Sequence, residues 1–303
     1  KVKQKAAEIV ASLVQIQKYE GGMHEFETVC LAKTDENSEK GEKPEKPKRT
    51  TAEIVDDPHA TDEELLADPV IKAAIEKELR AHEQVLREAT PDEILKARKQ
   101  GLTIVPVKLL LKLKRCGRCK ARIVVLGFLL RPDNLSAYAP TPDLTAIKAL
   151  LSLWCNTNSD FGMIIADAVS AFLQAPYPGS QMVLVKNDRR LQKFLGYSTG
   201  RVLRCINGLS LSPVGWALFR DEKFRRNGWR QSRTDSCVWF KNGCVLIAFI
   251  DNFMLFGMKT QIAHEYEPLS KDLKLIFEPF TEKDHGNFMR RTYDFLGIEL
   301  TID

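Results

Sequence analysis

Val245-Leu-Ile-Ala-Phe-Ile-Asp-Asn-Phe-Met-Leu-Phe-Gly257 sets two short apolar runs around one polar pair, Asp251-Asn252. β-branched and aromatic residues fill both runs, and a polar pair between such runs is a hairpin signature. Asp and Asn tolerate the left-handed dihedrals of a tight turn, so a hairpin with its turn at Asp251-Asn252 is predicted. The pair can be only a turn. It can also present a carboxylate on a rigid apolar support, as a metal ligand, and that reading needs a second carboxylate from elsewhere in the chain. Phe161-Gly-Met-Ile-Ile-Ala166 reads as a buried strand that ends at Asp167. If the two strands are neighbours in one sheet, Asp167 and Asp251 point at the same volume. Paired hard oxygens that leave room for substrate phosphates suit Mg²⁺. Two such ions about 3.5–4 Å apart activate an attacking hydroxyl and stabilise the leaving oxygen in phosphoryl transfer.

The rest of the composition allows this chemistry without demanding it. The chain has 303 residues, room for one large domain or two smaller ones, and 44% of them are apolar, enough for a sizeable core. A net charge of +5 is mildly basic and permits a nucleic-acid partner. Seven cysteines at irregular spacing do not form a disulfide framework, which points to a reduced, intracellular setting; cytoplasmic particle and nucleus are not separated by it. No apolar run approaches a membrane span, so no membrane partner is expected. The first residue is Lys1 rather than Met, which suggests a piece of something longer.

Taken in order, apolar positions from Val2 to Ile16 recur at helical spacing, so residues 1–32 are expected to be a helical N-terminal segment. Residues 33–66 shift to Glu, Lys, Pro, Thr and Asp and are expected to be a disordered charged linker. Order resumes at Asp68-Pro69, with Ile71, Ala74, Ile75, Leu79, His82 and Leu86 on one helix face. Thr90-Pro-Asp-Glu93 is a capping box. Strand-like runs follow over Thr103–Leu113 and Lys120–Phe128, joined by a turn containing Cys116-x-x-Cys119, which lacks the second pair a zinc site needs. Helices are expected to begin near Pro142 and near Pro213 and to cover one face of the sheet. A polar helix-like segment is read at Lys271–Phe277. Helices mixed with antiparallel hairpins make the class α+β.

Between Ile71 and Leu300 the sequence resembles the reverse transcriptase of copia-type LTR retrotransposons. Lys120-Ala-Arg-Ile-Val-Val-Leu-Gly-Phe128 looks like the fingers strand written KARLVxxGF, and Tyr138-Ala-Pro-Thr-Pro142 resembles the segment before the first palm helix. Asp167-Ala-Val-Ser-Ala-Phe-Leu-Gln174 is similar to DVKTAFLN, and Gly208-Leu-Ser-Leu-Ser-Pro213 with Trp216 to GLKQSPRxW. Asp235-Ser-Cys-Val238, Phe249-Ile-Asp-Asn252 and Phe295-Leu-Gly-Ile-Glu299 look like DxCV, YVDD and FLGIE. The resemblance implies that residues 67–303 are a fingers/palm domain, its antiparallel palm sheet covered by helices and its thumb absent. It implies RNA-directed DNA polymerase activity by two-metal nucleotidyl transfer. Asp167 and Asp251 would bind two Mg²⁺ ions, with Asn252 as the third catalytic position. Lys120, Arg122, Phe172 and Leu211 would meet the incoming nucleotide, and Phe295, Leu296, Gly297, Ile298 and Glu299 would grip the primer. Implied partners are an RNA/DNA template–primer, dNTPs, and other polyprotein parts such as integrase and RNase H.

The departures fall at these same positions. The second hairpin acid is Asn252, and an amide cannot supply the charge that helps hold a divalent ion. The glutamine of GLKQ is Leu211, the tyrosine before GL is Asn207, the lysine is Ser210, and a commonly basic fingers position is Leu126. Most of these changes remove a polar group near a polyanionic substrate, while the apolar framework is kept. Two outcomes stay open: a polymerase impaired by Asn252 and Leu211, or a catalytically dead remnant that at most binds nucleic acid.

Overall fold

The computed structural model describes residues 16–18, 49–57, 59–114, 117–130, 137–155, 160–278, 281–284, 289–295 and 298–302. The strands are β1 (Ile16–Lys18), β2 (Leu86–Glu88), β3 (Ile104–Leu113), β4 (Cys119–Val125), β5 (Phe161–Ala168), β6 (Leu184–Asn187), β7 (Thr199–Val202), β8 (Arg230–Gln231), β9 (Val238–Lys241), β10 (Cys244–Phe249), β11 (Asn252–Met258), β12 (Leu275–Glu278), β13 (Thr281–Asp284), β14 (Met289–Phe295) and β15 (Ile298–Ile302). They form three sheets, ordered β2-β7-β6-β3-β4, β12-β5-β11-β10-β9-β8 and β1-β15-β14-β13. Among the described residues only β3–β6 pairs in parallel. Helices between and beside these sheets make the architecture α+β, as expected.

The six-stranded sheet carries the quoted stretch. β10 and β11 form an antiparallel hairpin, and β11 lies against β5 with Asn252 opposite Asp167 and Phe256 opposite Met163. Both faces of this sheet are covered, which is why β10 and β11 read as continuous apolar runs rather than alternating ones. On one face Ala166, Ala168, Phe253 and Leu255 pack against Trp216 and Phe224 of the Ser212–Arg226 helix and Leu269 and Leu273 of the Lys259–Leu273 helix. On the other, Met163, Ile165, Met254 and Phe256 pack against Ile147 and Leu151 of the Leu144–Cys155 helix. The helices that start after Pro142 and at Ser212 therefore take opposite faces, not one face as expected. Spacing alone could not separate these arrangements, because the central strands are apolar on both sides.

The five-stranded sheet buries alternate residues of β3 and β4, among them Val105, Val107, Leu109, Ala121, Ile123 and Val125, against Ile54, Leu65, Ile71 and Ile75. Those last four come from the helices Thr51–Asp56, Asp62–Ala67 and Pro69–His82. Each begins on a residue that satisfies otherwise free N–H groups. Thr50 and Thr61 form capping boxes with Glu53 and Glu64, and Asp68 accepts from Val70 N at 2.8 Å and Ile71 N at 3.1 Å.

Four further expectations are corrected. The disordered linker does not run to 66: residues 51–56 and 62–67 are capped helices, and buried Ile54, Ala60 and Leu65 supply the apolar contacts that the composition concealed. Residues 33–48 lie outside the described residues. Most of the N-terminal helix expectation does as well, and Ile16–Lys18 is a strand paired with β15. The segment near Lys271–Phe277 splits: the helix ends at Leu273, Lys274 adopts a left-handed φ of 50°, and β12 follows. Finally, the β10–β11 turn is Ile250-Asp251, with Phe249 paired to Asn252, so Asn252 is the first residue of β11 rather than a turn residue.

Candidate functional site

Asp251 sits in a two-residue turn whose other member, Ile250, has φ 47°. A β-branched residue in that region is strained, so the surroundings must hold it there. They do so from two sides. The indole N–H of buried Trp216 donates to the Ile250 carbonyl at 2.5 Å, and the Ala168 N–H donates to the Asp251 carbonyl at 2.8 Å. The first bond ties the turn to the Ser212–Arg226 helix and the second ties it to the end of β5. Ser170, two residues beyond that end, is also left-handed, at φ 50°. Strained residues thus flank both Asp167 and Asp251.

These two carboxylates line one cavity of about 130 Å³ with Glu78, Lys120, Arg122, Ala168, Ser170, Ala171, Phe172, Leu173 and Asn207. Lys120 and Arg122 reach it because β4 alternates: Cys119, Ala121 and Ile123 turn inward, and Lys120 and Arg122 turn out. Arg122 Nη1 donates to Asn207 Oδ1 at 3.3 Å. Burial and the neighbouring Arg122 and Lys114 charges depress the Lys120 ammonium's pKa, while Asp167 and Asp251 oppose that shift. Glu78, on the Pro69–His82 helix, accepts from Ile123 N at 2.8 Å and so covers the free edge of β4.

The motifs that frame the cavity have local explanations. Gly208 has φ 92°, and a Cβ there would lie 2.0 Å from the Val125 carbonyl oxygen; a Cβ on Gly127 would lie 2.3 Å from the Gly208 carbonyl oxygen. Both positions need glycine because the end of β4 and the 206–209 loop touch backbone to backbone. The Ser212 hydroxyl closes that loop, accepting from Ile206 N at 3.0 Å and donating to Ile206 O at 2.6 Å. Asp235 holds the start of the Leu144–Cys155 helix by accepting from Asp143 N at 2.9 Å. Gln174 donates to the Val169 and Leu273 carbonyls, fixing the short Ala171–Gln174 helix that carries Phe172.

Of the residues singled out from the sequence, Lys120, Arg122, Asp167, Phe172 and Asp251 come together in the cavity. Asn252 stands beside it, opposite Asp167, with its Nδ2 donating to Asp251 Oδ1 at 3.2 Å. Leu211 is not brought in: it is 3% exposed and does not line the cavity. Phe295, Ile298 and Glu299 lie on the β14–β15 hairpin, with Phe295 opposite Ile298, while Leu296 and Gly297 lie outside the described residues. Sequence reasoning missed Glu78 and Ser170. Glu78 gave no signal beyond a polar position on an amphipathic helix.

A wider basic surface adjoins the cavity. Lys108, Lys112 and Lys114 on or just after β3, with Arg118, Lys120 and Arg122, are all exposed, and Lys112 stands directly opposite Lys120. Like charges placed opposite one another destabilise a ladder. No Asp or Glu lies on β3 or β4 to offset them.

The two Mg²⁺ ions implied by the resemblance find few donors. Among the described residues no group of three or more His, Cys, Asp or Glu side chains is placed to hold a metal ion. Asp167 and Asp251 are two carboxylates, and the Asn252 amide turns a donor toward one of them. That set does not fit a pair of divalent ions. Cysteine chemistry has no support either: Cys119 is buried, which pushes its thiol pKa up, and Cys116 lies outside the described residues.

No protein-family model matches the chain. An alignment 196 positions long, covering 58% of the chain, is 24% identical to the retrovirus-related Pol polyprotein from transposon TNT 1-94 of Nicotiana tabacum. The chain is similar to part of a retroelement Pol polyprotein. It spans 14% of that relative's length. Among solved structures, a foamy viral protease–reverse transcriptase in complex with double-stranded DNA aligns over 77% of this chain and 34% of that one, at 12% identity and a TM-score of 0.37. No helix among the described residues is long and apolar enough to cross a membrane.

Proposed function

We propose that residues 67–303 are the fingers and palm of a copia-type reverse transcriptase, and that the cavity takes the phosphates of a nucleic-acid strand and a nucleotide. On this reading the five-stranded sheet is the fingers and the six-stranded sheet the palm. One observation carries it: Lys120, Arg122, Asp167, Phe172 and Asp251, spread over 132 sequence positions, line one cavity. Cations on an exposed strand, facing one carboxylate on β5 and one on a strained hairpin turn, suit a substrate that is anionic and reactive at phosphorus. The Pol polyprotein relative supports the same reading. RNA-directed DNA polymerisation is weak or lost, because Asn252 removes a charge that metal-assisted transfer uses.

The test is binding of a labelled RNA/DNA template–primer by the full chain, followed by Mg²⁺-dependent primer extension with dNTPs. Binding with little or no extension is expected. Robust extension that Asp251→Ala abolishes would keep the family reading and overturn the loss of activity. Absence of any template–primer binding would sink the reading of the cavity itself.

A further inference from the structure

We infer that Asn252 replaces a divalent cation in this cavity, leaving a site that holds a phosphate-bearing strand with the chain's own charges and no metal. The inference rests on the reading of the cavity as a nucleic-acid site and concerns how that site is neutralised.

The register supplies the first argument. Asn252 and Asp167 are Cα partners on antiparallel strands, so their side chains rise from the same face of the sheet. Directly opposed residues have Cβ atoms about 4.5–5.5 Å apart. An acid at 252 would crowd three carboxylates, with Asp167 and Asp251, around one hairpin tip, and such a cluster calls for a bound cation or for one acid to stay protonated. An amide removes the requirement. Its geometry supplies the second argument: Asn252 Nδ2 donates to Asp251 Oδ1 at 3.2 Å, so an N–H occupies a lone pair that an ion would need. The opposite amide orientation would set oxygen against oxygen and is unfavourable.

The remaining negative charge has protein counter-charges. Lys120 and Arg122 line the same cavity as Asp167 and Asp251. The third acid there, Glu78, has an oxygen engaged by the Ile123 N–H. Exposed Lys108, Lys112, Lys114 and Arg118 extend the positive surface beyond the cavity mouth, so phosphates meet fixed cations first. If Asn252 were only a residue suited to the base of a turn, an acid in its place would create no dependence on metal.

The experiment uses the full chain, Mn²⁺ as the metal probe and constant ionic strength. Free Mn²⁺ is counted by electron paramagnetic resonance, thermal unfolding is followed with Mn²⁺ or with excess EDTA, and a labelled RNA/DNA duplex is titrated under both conditions. For the unmodified chain we expect no saturable Mn²⁺ uptake, a melting temperature that Mn²⁺ shifts by less than about 1 °C, and duplex affinities that agree within about twofold. Asn252→Asp is expected to melt several degrees lower in EDTA, to recover with Mn²⁺, and to take up Mn²⁺ that a further Asp251→Ala change abolishes. Saturable Mn²⁺ uptake by the unmodified chain that Asp251→Ala removes would overturn the inference. So would a loss of duplex affinity of about tenfold or more in EDTA. Should the duplex bind under neither condition, the cavity reading fails, and Mn²⁺ uptake still decides the role of Asn252. The unmodified-chain titration stands even if Asn252→Asp does not fold.

Discussion

The indole N–H of Trp216 donates to the carbonyl of Ile250, 34 residues away, and so fixes the peptide next to Asp251. Trp216 is fully buried, and Ile250 holds a backbone conformation that a β-branched residue avoids. Replacing Trp216 with Phe keeps most of the apolar contact but orphans the carbonyl. Leaving a buried polar group unsatisfied costs about 1–3 kcal/mol. Trp216→Phe should lower the urea midpoint accordingly, and hydrogen exchange should quicken at residues 249–252 more than elsewhere in β10 and β11. Uniform exchange across the hairpin would show that the bond does not anchor the turn.

Gly208 offers a sharper test of the close approach between the end of β4 and the 206–209 loop. With φ 92° and the Val125 carbonyl oxygen 2.0 Å from an added Cβ, alanine meets both strain and a backbone clash. Strain of that kind costs on the order of 1–3 kcal/mol before the clash is counted. Gly208→Ala should destabilise the chain by more than Gly228→Ala, where the nearest atom to an added Cβ is a lysine side-chain carbon at 3.6 Å. Equal effects on the denaturation midpoint would refute the close approach.

Glu93 predicts how the protein responds to acid. Arg87 and Arg201 are direct partners on β2 and β7, and the Glu93 carboxylate lies between them, pairing with Arg87 at 2.6 Å and with Arg201. The Arg87 and Arg201 guanidiniums and the Thr90 N–H hold its pKa down at about 2, from 4.5. Because the folded pKa is depressed, this stabilisation is complete above pH 4.5 and is lost as pH falls toward 2. With both arginines more than a third exposed, screening limits it to about 1 kcal/mol. Glu93→Gln should remove that much stability at pH 7 and flatten the acid limb of a stability–pH curve. An unchanged acid limb would contradict the assignment.

The sequence could be read furthest where one residue type answers a local need. The Thr90-Pro-Asp-Glu93 box, the Asp68 cap and the helix opened by Ser212-Pro213 stand where their local signals put them. The partnership of Asp167 with the Asp251 hairpin was legible for a different reason: each closes an apolar strand, and the motif resemblance, not spacing, singled out these two acids among 40. What was not legible depends on context that spacing cannot carry. The covered faces of β5 and β11 are equally apolar, so nothing marked which helix takes which side. The turn lies one residue earlier than its polar pair implies, because Trp216 and the Asp251 backbone bond hold Ile250 where its own preference would not.

Leu211 shows the same limit at a site residue. Matching it to the glutamine of GLKQ placed it among the residues that would meet the nucleotide. In the fold Leu211 is buried at the start of the Ser212–Arg226 helix and away from the cavity. A glutamine there would bury an amide among apolar groups, at a cost of about 1–3 kcal/mol. Leu211→Gln is therefore expected to lower the melting temperature without improving template–primer affinity. A tighter nucleotide affinity at unchanged stability would return the position to the site.

The exposed cations separate phosphate contact from mere surface charge. Each lysine or arginine that neutralises a phosphate adds about one unit to the slope of log affinity against log salt. Lys120→Ala and Arg122→Ala should each weaken template–primer binding and reduce that slope by about one unit, regardless of sequence. Lys271→Ala provides the control, because Lys271 pairs with Glu267 on the exposed side of its own helix at 2.7 Å. Arg122 has a second tie, to Asn207, so Asn207→Ala should reproduce part of the Arg122 loss in affinity while leaving the salt slope intact. Positioning and charge then give different signatures in one titration. If Lys120→Ala and Lys271→Ala reduced affinity and slope equally, the strand would be binding to net charge, and the cavity would have no part in it.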